Sequence, residues 1–499
     1  MEQKAGKRLI GRLAGPILAI FTVILMGMEP AGLMAGVAVL MAVWWITEAL
    51  PLAATALLPL PLFPLLGIMS GRAVAPVYMN STIFLFIGGF LIALAMERQN
   101  LHKRMALGII HVLGGGPSRL VLGFLVSSAF LSMWISNTAT AIMMLPIGMA
   151  IISRLEAMEG VERVRPITLS LLLSIAYGCS LGGIATLVGT PPNLAFSRIL
   201  ALTFPEAPPI SFGSWILMGL PLSVLLLGLT WLLLTKCFFP VPKNLNLQTD
   251  AIAAERTSLG PMSFAEKAVA AVFASTAVLW VFRNPLTLGE WVIPGWSGLL
   301  PHGQLLDDGT VSLAMASLLF LIPARDGSGK ALAGPEIFSD VPWSIVLLFG
   351  GGFALAKGFQ DSGLTQLIGA QFQGLAGTPS YPVIAVICTG LTFLTELTSN
   401  TATTEMILPP LASVAVAMEM DPLLLMVPAT LSASCAFMMP VATPPNAIVF
   451  GSGRITVREM ASVGIYLNLV GILVISTFVY FAGGLLLGIE TGGLPDWAK

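Results

Sequence analysis

Charge is scarce in this sequence. Lys, Arg, Asp and Glu make up 10% of its 499 residues, where a soluble domain carries about 25%. Hydrophobic residues make up 56%, with a mean hydropathy of +0.90. A soluble core does not accommodate so much apolar chain, and apolar runs of helical length imply an all-α polytopic membrane protein. The net charge of −1 leaves no field to attract nucleic acid. Cysteine is nearly absent: Cys179, Cys237, Cys388 and Cys435 sit in or beside apolar segments without metal-ligand spacing and read as buried structural thiols. His102, His111 and His302 fall in loops or surface segments. The chain has no His-Glu-x-x-His, no Gly-x-Ser-x-Gly, and no acid or histidine pair at helical spacing beside a polar cluster. These absences exclude the usual equipment of an intramembrane enzyme, and no resident cofactor is implied.

What is present is organised by membrane thickness. Spans of roughly 20 apolar residues are expected near 13–28, 31–49, 52–67, 80–97, 167–188, 211–236, 265–283, 308–323, 342–357, 423–441 and 460–488. The basic start MEQKAGKRLIGRLAG leads into the first of these without a small-residue cleavage site before the next, as a retained first helix would. Two stretches, 120–153 and 382–418, do not fit. As one straight helix the first would run about 51 Å, against a hydrocarbon core of about 30 Å. Split at Ser136-Asn137-Thr138, it becomes two arms each too short to cross, a re-entrant hairpin with its tip near mid-membrane. Ser399-Asn400-Thr401 splits the second stretch in the same way. Polar, non-helical backbone at that depth requires a cavity or surrounding protein.

Gly189–Asn193 (GTPPN) and Ala442–Asn446 (ATPPN) interrupt two further apolar helices, because each proline pair removes two backbone donors. The distribution of Lys and Arg then orients the chain. With the N-terminus in the cytoplasm and the C-terminus outside, all 24 except Arg72, Arg198, Arg283, Lys357 and Lys499 fall on the cytoplasmic side. The first hairpin, flanked by Arg119 and Arg154, enters from the cytoplasm. The second lies between Gly358 and Gly453, a stretch without Lys or Arg, and enters from outside.

SNTATAIMMLP from Ser136 and SNTATTEMILP from Ser399 match at eight of eleven positions, 263 residues apart. The same offset aligns Phe86, Gly88, Gly89 and Phe90 with Phe349, Gly351, Gly352 and Phe353. Two copies entering from opposite faces are inverted-topology repeats, in which broken helices build a substrate and ion site at the midplane. The clusters offer hydroxyls, amides and helix ends but no Lys, Arg or His. Helix N-termini favour anions, and free carbonyl and hydroxyl oxygens suit a hard cation such as sodium. A dianion with co-bound cations, hence ion-coupled symport, fits this chemistry.

These residues resemble the divalent anion/sodium symporter family, the solute carrier 13 relatives that include bacterial sodium-dependent dicarboxylate transporters. The likeness rests on WWITEALPL (Trp44 to Leu52), both Ser-Asn-Thr tips and both Thr-Pro-Pro-Asn breaks, and covers nearly the whole chain. It implies that Ser136, Asn137, Thr138 and Thr190 from one half, and Ser399, Asn400, Thr401 and Thr443 from the other, clasp the substrate carboxylates. It implies one sodium site at Ser132, Ser136, Asn137 and Gly189, and a second at Thr395, Thr398, Asn400 and Ala442. It further implies a homodimer in the bacterial inner membrane with an elevator mechanism. Scaffold parts would be 1–119 and 241–380, and transport parts 120–240 and 381–499; the amphipathic-looking segments near 99–116 and 361–375 read equally as hinges of the motion or as plain surface helices. Sodium-independent exchange, and sulfate or tricarboxylate as substrate, stay open. Glu396 and Glu405, beside the second tip, are expected to make structural hydrogen bonds.

Overall fold

The computed structural model describes residues 2–242, 255–289, 291–325, 327 and 329–499. Among them the only extended pairing is the hairpin of β1 (Leu286–Leu288) with β2 (Trp291–Ile293) and a bridge between Pro323 and Ala331. The rest is helices and their connections. The first half comprises α1 (Glu2–Met26), α2 (Pro30–Thr47), α3 (Ser81–Arg98), α4 (Leu101–Leu113), α5 (Pro117–Ser132), α6 (Asn137–Glu159), α7 (Val161–Gly183), α8 (Pro191–Thr203) and α9 (Phe212–Leu232). The second comprises α10 (Phe264–Val281), α11 (Asp308–Leu321), α12 (Trp343–Asp361), α13 (Leu364–Phe372), α14 (Ser380–Thr395), α15 (Asn400–Ala417), α16 (Leu423–Ala433), α17 (Pro444–Phe450) and α18 (Val457–Leu487).

Helix boundaries reproduce the repeat. The pairs α4 and α13, α5 and α14, and α6 and α15 each begin 263 residues apart, while the later pair α8 and α17 begins 253 apart. The net loss of ten residues arises because α15 has 18 residues where α6 has 23 and α16 has 11 where α7 has 23, partly offset by longer connections in the second half. The two copies also touch, with the rings of Phe86 and Phe349 meeting edge to face at 5.1 Å.

Local chemistry sets these boundaries. Asn80 caps α3 by accepting from the backbone N–H groups of Thr82 and Ile83. Capping boxes start α10 (Ser263 with Glu266) and α18 (Thr456 with Glu459). Proline at the first helical position opens α5, α8 and α17. Between α6 and α7 the chain reverses at Gly160, whose φ of +85° suits glycine. Close packing of α5 on α7 depends on Gly182, where a Cβ would overlap the Ala129 carbonyl.

Eight helical stretches among the described residues are long and apolar enough to cross a bilayer, those containing α1, α2, α3, α6, α7, α9, α10 and α18. Several expectations need correction. The 52–67 span is two short helices, Leu52–Ala56 and Pro59–Leu65, in a segment interrupted by prolines. The 423–441 span is helical only to Ala433 and unwinds before α17. The second arm of the first hairpin, α6, has 23 residues rather than too few to cross, because the helix continues past Arg154 to Glu159. Cys237 is exposed, whereas Cys179, Cys388 and Cys435 are buried, and all four are free thiols.

Candidate functional site

Both Ser-Asn-Thr clusters lie at the turns of helical hairpins, and both Thr-Pro-Pro-Asn breaks lie at helix starts. Ser136 caps α6 by accepting from the Ala139 N–H at 3.2 Å. Ser399 is the N-cap of α15 with no such bond, which leaves its hydroxyl free of a capping role. Thr190 and Thr443 are the N-caps of α8 and α17. Four helix N-termini, two from each half, therefore converge on one region. Such ends carry unpaired N–H groups and partial positive charge.

The breaks are held open by their asparagines. Asn193 donates to the carbonyls of Gly183, Ile184 and Thr186, the last at 2.7 Å. Asn446, at the matching position, donates to the carbonyls of Ala436 and Met439 at 3.1 Å each. These bonds satisfy carbonyls that the unwound segments leave without helical partners. Neither asparagine was assigned a role from sequence, although each is the last letter of its motif.

A cavity of about 450 Å³ lies where the four ends meet, within the range of small-molecule sites. It is lined by Ser136, Asn137, Thr138, Gly189 and Thr190 from the first half and by Thr398, Ser399, Asn400, Thr401, Ala442 and Thr443 from the second. Of the residues expected at the site, only Ser132 and Thr395 do not line it; each sits one layer behind its asparagine. Trp45, Thr47, Glu48 and Leu52 close one wall, which gives the WWITEALPL stretch a place at the cavity. Arg8 and Glu48 lie at the rim, 3.7 Å apart and both more than half exposed.

Behind the lining, oxygens crowd together in the same way on each side. Ser132 Oγ lies 2.5 Å from Asn137 Oδ1. A Cβ on Gly183 would be 3.0 Å from both Asn137 Oδ1 and the Gly189 carbonyl, so Gly183 lets these two oxygens converge. In the second half Thr395 Oγ1 lies 2.7 Å from Asn400 Oδ1 and 2.8 Å from the Ala433 carbonyl. One hydroxyl proton cannot serve both acceptors fully. Sets of three oxygens with a shortage of protons suit a small hard cation. Gly183 and the Ala433 carbonyl were not named from sequence, since neither belongs to a polar motif.

Glu396 resolves as a brace. Its carboxylate accepts from the backbone N–H groups of Phe437 (2.7 Å), Met438 (2.8 Å) and Met439 (2.9 Å), and from the Asn468 amide (2.8 Å). The unwound segment between α16 and α17 is thereby fixed to the start of the second tip. Glu405 departs from expectation. It is fully buried, and neither carboxyl oxygen has a hydrogen-bond partner among the described residues.

Comparison with known proteins gives one consistent result. Residues 9–489 match the family profile described as "Sodium:sulfate symporter transmembrane region". The chain is 42% identical over 501 residues to the sodium-dependent dicarboxylate transporter SdcS of Staphylococcus saprophyticus, covering 98% of this chain and 94% of that protein. It is also 42% identical to SdcS of Staphylococcus aureus, over 97% of this chain and 92% of that protein. Among solved structures, the Alcanivorax borkumensis YdaH transporter superposes with a TM-score of 0.58 at 14% identity, covering 92% of this chain and 99% of that one. Neisseria gonorrhoeae MtrF gives 0.55 at 12% identity, covering 90% and 94%. At such low identity these two structures speak to the fold alone.

Proposed function

Since the chain belongs to the sodium:sulfate symporter family of integral membrane transport proteins, we propose that it is a sodium-coupled symporter of C4-dicarboxylates such as succinate, malate and fumarate. The observation that carries this reading is the paired geometry. Two hairpin tips and two broken helices surround one cavity, each half with an oxygen cluster behind it. The name of the SdcS relatives supports sodium and a dicarboxylate as the transported pair.

In this reading Ser136, Asn137, Thr138 and Thr190 face one carboxylate, and Ser399, Asn400, Thr401 and Thr443 the other. Ser132, Ser136, Asn137 and Gly189 hold one sodium; Thr395, Thr398, Asn400 and Ala442, with the Ala433 carbonyl, hold the second. The cations offset the dianion, which finds no Lys or His among the cavity residues and a single Arg, Arg8, exposed at the rim beside Glu48. Residues 120–240 and 381–499 move as a transport unit against a scaffold formed by 1–119 and 241–380, in a homodimer in the bacterial inner membrane.

Packing supports this division. The α12 helix lies between Leu52–Ala56 on one side and α8 and α15 on the other, whereas its counterpart α3 packs chiefly on α10 and α11. The clasp is thus seated against the scaffold on one side only. Ion pairs support the grouping of loops on two faces, on which the orientation with the N-terminus inside and the C-terminus outside depends. Arg98 with Glu336 and Asp340, Arg104 with Glu266, Arg165 with Glu459 and Arg454 with Glu156 each join residues that the charge distribution places in the cytoplasm. Arg283 with Asp308 joins two placed outside.

Purified protein in proteoliposomes should accumulate labelled succinate only with an inward sodium gradient. Equal exchange in sodium-free choline buffer would replace symport with exchange, and preferential uptake of sulfate would replace the dicarboxylate with a tetrahedral dianion.

Side-chain substitutions separate anion from cation contacts. Thr190→Val and Thr443→Val keep shape and β-branching but remove a hydroxyl from a charged acceptor, a loss of roughly 1.5–3 kcal/mol. Apparent succinate affinity should fall about tenfold to hundredfold. Thr395→Val removes the oxygen between Asn400 Oδ1 and the Ala433 carbonyl and should shift the sodium dependence first. A sodium titration of uptake for all three variants decides the matter. Threonine variants at 190 and 443 that altered only sodium activation would contradict the division.

A further inference from the structure

Glu405 sits on α15 one helical turn beyond Thr401, and it is the one acidic side chain whose two oxygens are both buried and unpartnered among the described residues. The surface it meets is glycine. A Cβ on Gly352 would run into Glu405 Cβ, Cγ and Cδ, so α12 has no room for a side chain where the carboxyl lies. Neighbouring glycines hold the static side in place: Gly351 packs on Ala56, and Gly350 packs on the ring of Tyr78, whose hydroxyl donates to the Ala56 carbonyl at 2.6 Å.

The charged and titratable groups around Glu405 are few. Tyr78 is the titratable neighbour from the scaffold side, and its proton is engaged with Ala56. On α8, Arg198 is half-buried with its Nε unpartnered, and it forms no ion pair with Glu405. On α12 the charged residues Lys357 and Asp361 pair with each other at the helix end. The helices α2, α13, α14 and α16 contain no charged residue. Glu396, at the end of α14, is occupied by the 437–439 backbone.

A carboxylate in such a place has no donor to replace the water it gives up. In the first half the seam is apolar: at Gly89, the counterpart of Gly352, Val188 approaches at ordinary contact distance, 3.6 Å. At the position matching Glu405 stands Ile142, which is exposed. The acid is therefore not required by the repeat and is confined to the tight seam.

From this geometry we propose that Glu405 is a proton-binding site at the seam between α15 and α12. The inference rests on the division into moving and static parts under the proposed function. Seated on Gly352, the side chain is a neutral carboxylic acid. When α15 leaves α12, the O–H bond breaks and the proton passes to water. When the seam closes, a carboxylate oxygen takes a proton from hydronium, leaving water behind. The seated arrangement therefore loses population as pH rises, by up to about tenfold per pH unit once the separated form is ionised.

Infrared spectroscopy of the full-length protein at neutral pH tests this directly. The wild type should show a C=O stretch of an unbonded protonated carboxyl, shifted by deuterium oxide and missing from Glu405→Gln; its absence overturns the proposal. Glu405→Gln copies the neutral form and should fold. Should it fail to, an ionised acid is needed and the proposal falls, while Glu405→Met still identifies the band. With succinate fully ionised and sodium saturating, wild-type uptake should fall roughly tenfold per pH unit on the alkaline limb. The same profile should be flat within about twofold in Glu405→Gln, and parallel profiles overturn the proposal. Failure to carry succinate would sink the transport reading alone, because the infrared band does not depend on what is carried.

Discussion

Asn137→Ala and Asn400→Ala each reduce sodium-driven succinate uptake by roughly a hundredfold or more, while the protein remains folded and integral. Each asparagine serves two groups at once. Its Oδ1 belongs to the oxygen cluster behind the cavity, 2.5 Å from Ser132 Oγ or 2.7 Å from Thr395 Oγ1, and the residue also lines the cavity itself. Truncation removes a cation ligand and a dipole facing the anion together. A hydrogen bond to a charged group is worth about 1.5–3 kcal/mol, and the loss of two such interactions exceeds a factor of about one hundred. Both variants should lose uptake to a similar degree. Uptake within tenfold of wild type for either, with protein monodisperse on size exclusion, would contradict a site built from both halves.

Glu396→Ala has its main effect on the fold. Three consecutive backbone N–H groups, at 437, 438 and 439, point at this carboxylate, and the Asn468 amide completes the set. Removing the acceptor leaves three backbone donors, buried or part-buried, unpaired at up to about 1–3 kcal/mol each, so the loss is on the order of 3–9 kcal/mol. A substantially lower thermal unfolding temperature in detergent is expected, with loss of sodium binding by the second half before the first. Glu396→Gln keeps the shape with one acceptor oxygen and should fall between. A Glu396→Ala protein as stable as wild type would mean that water takes over the three donors and that the carboxylate is dispensable as a brace.

How much of this was readable in sequence depends on distance along the chain. The tips and breaks stood out because a few polar letters interrupt long apolar runs, and the structure brings both pairs to one cavity. The 263-residue repeat was visible in side chains and reappears in helix starts. That Glu396 makes structural hydrogen bonds was expected and is met, but its partners were not readable, because they lie 41 to 43 residues away in a segment with no polar motif. The unwinding after Ala433 was hidden because Ser434 is the one polar residue between Ala433 and Val441, so the stretch also reads as an apolar helix. Nor could Gly183 be singled out among 51 glycines; its role depends on what its missing side chain would strike. Glu405 was noticed as an oddity, but a hydrogen-bond partner was expected where the fold supplies glycine.

The unequal seams have a thermodynamic meaning. In a chain of two identical halves related by a twofold axis in the membrane plane, turning the molecule over exchanges its inward-open and outward-open forms. Apart from the membrane's own asymmetry, those forms would be one object with one free energy, and neither would be a resting position. Val188 beside Gly89 and Glu405 beside Gly352 break that degeneracy. Under the proposed transport cycle, preference for one end of the stroke is then set where the copies diverge, this seam among those places, rather than in the clasp, whose tips match at eight of eleven positions.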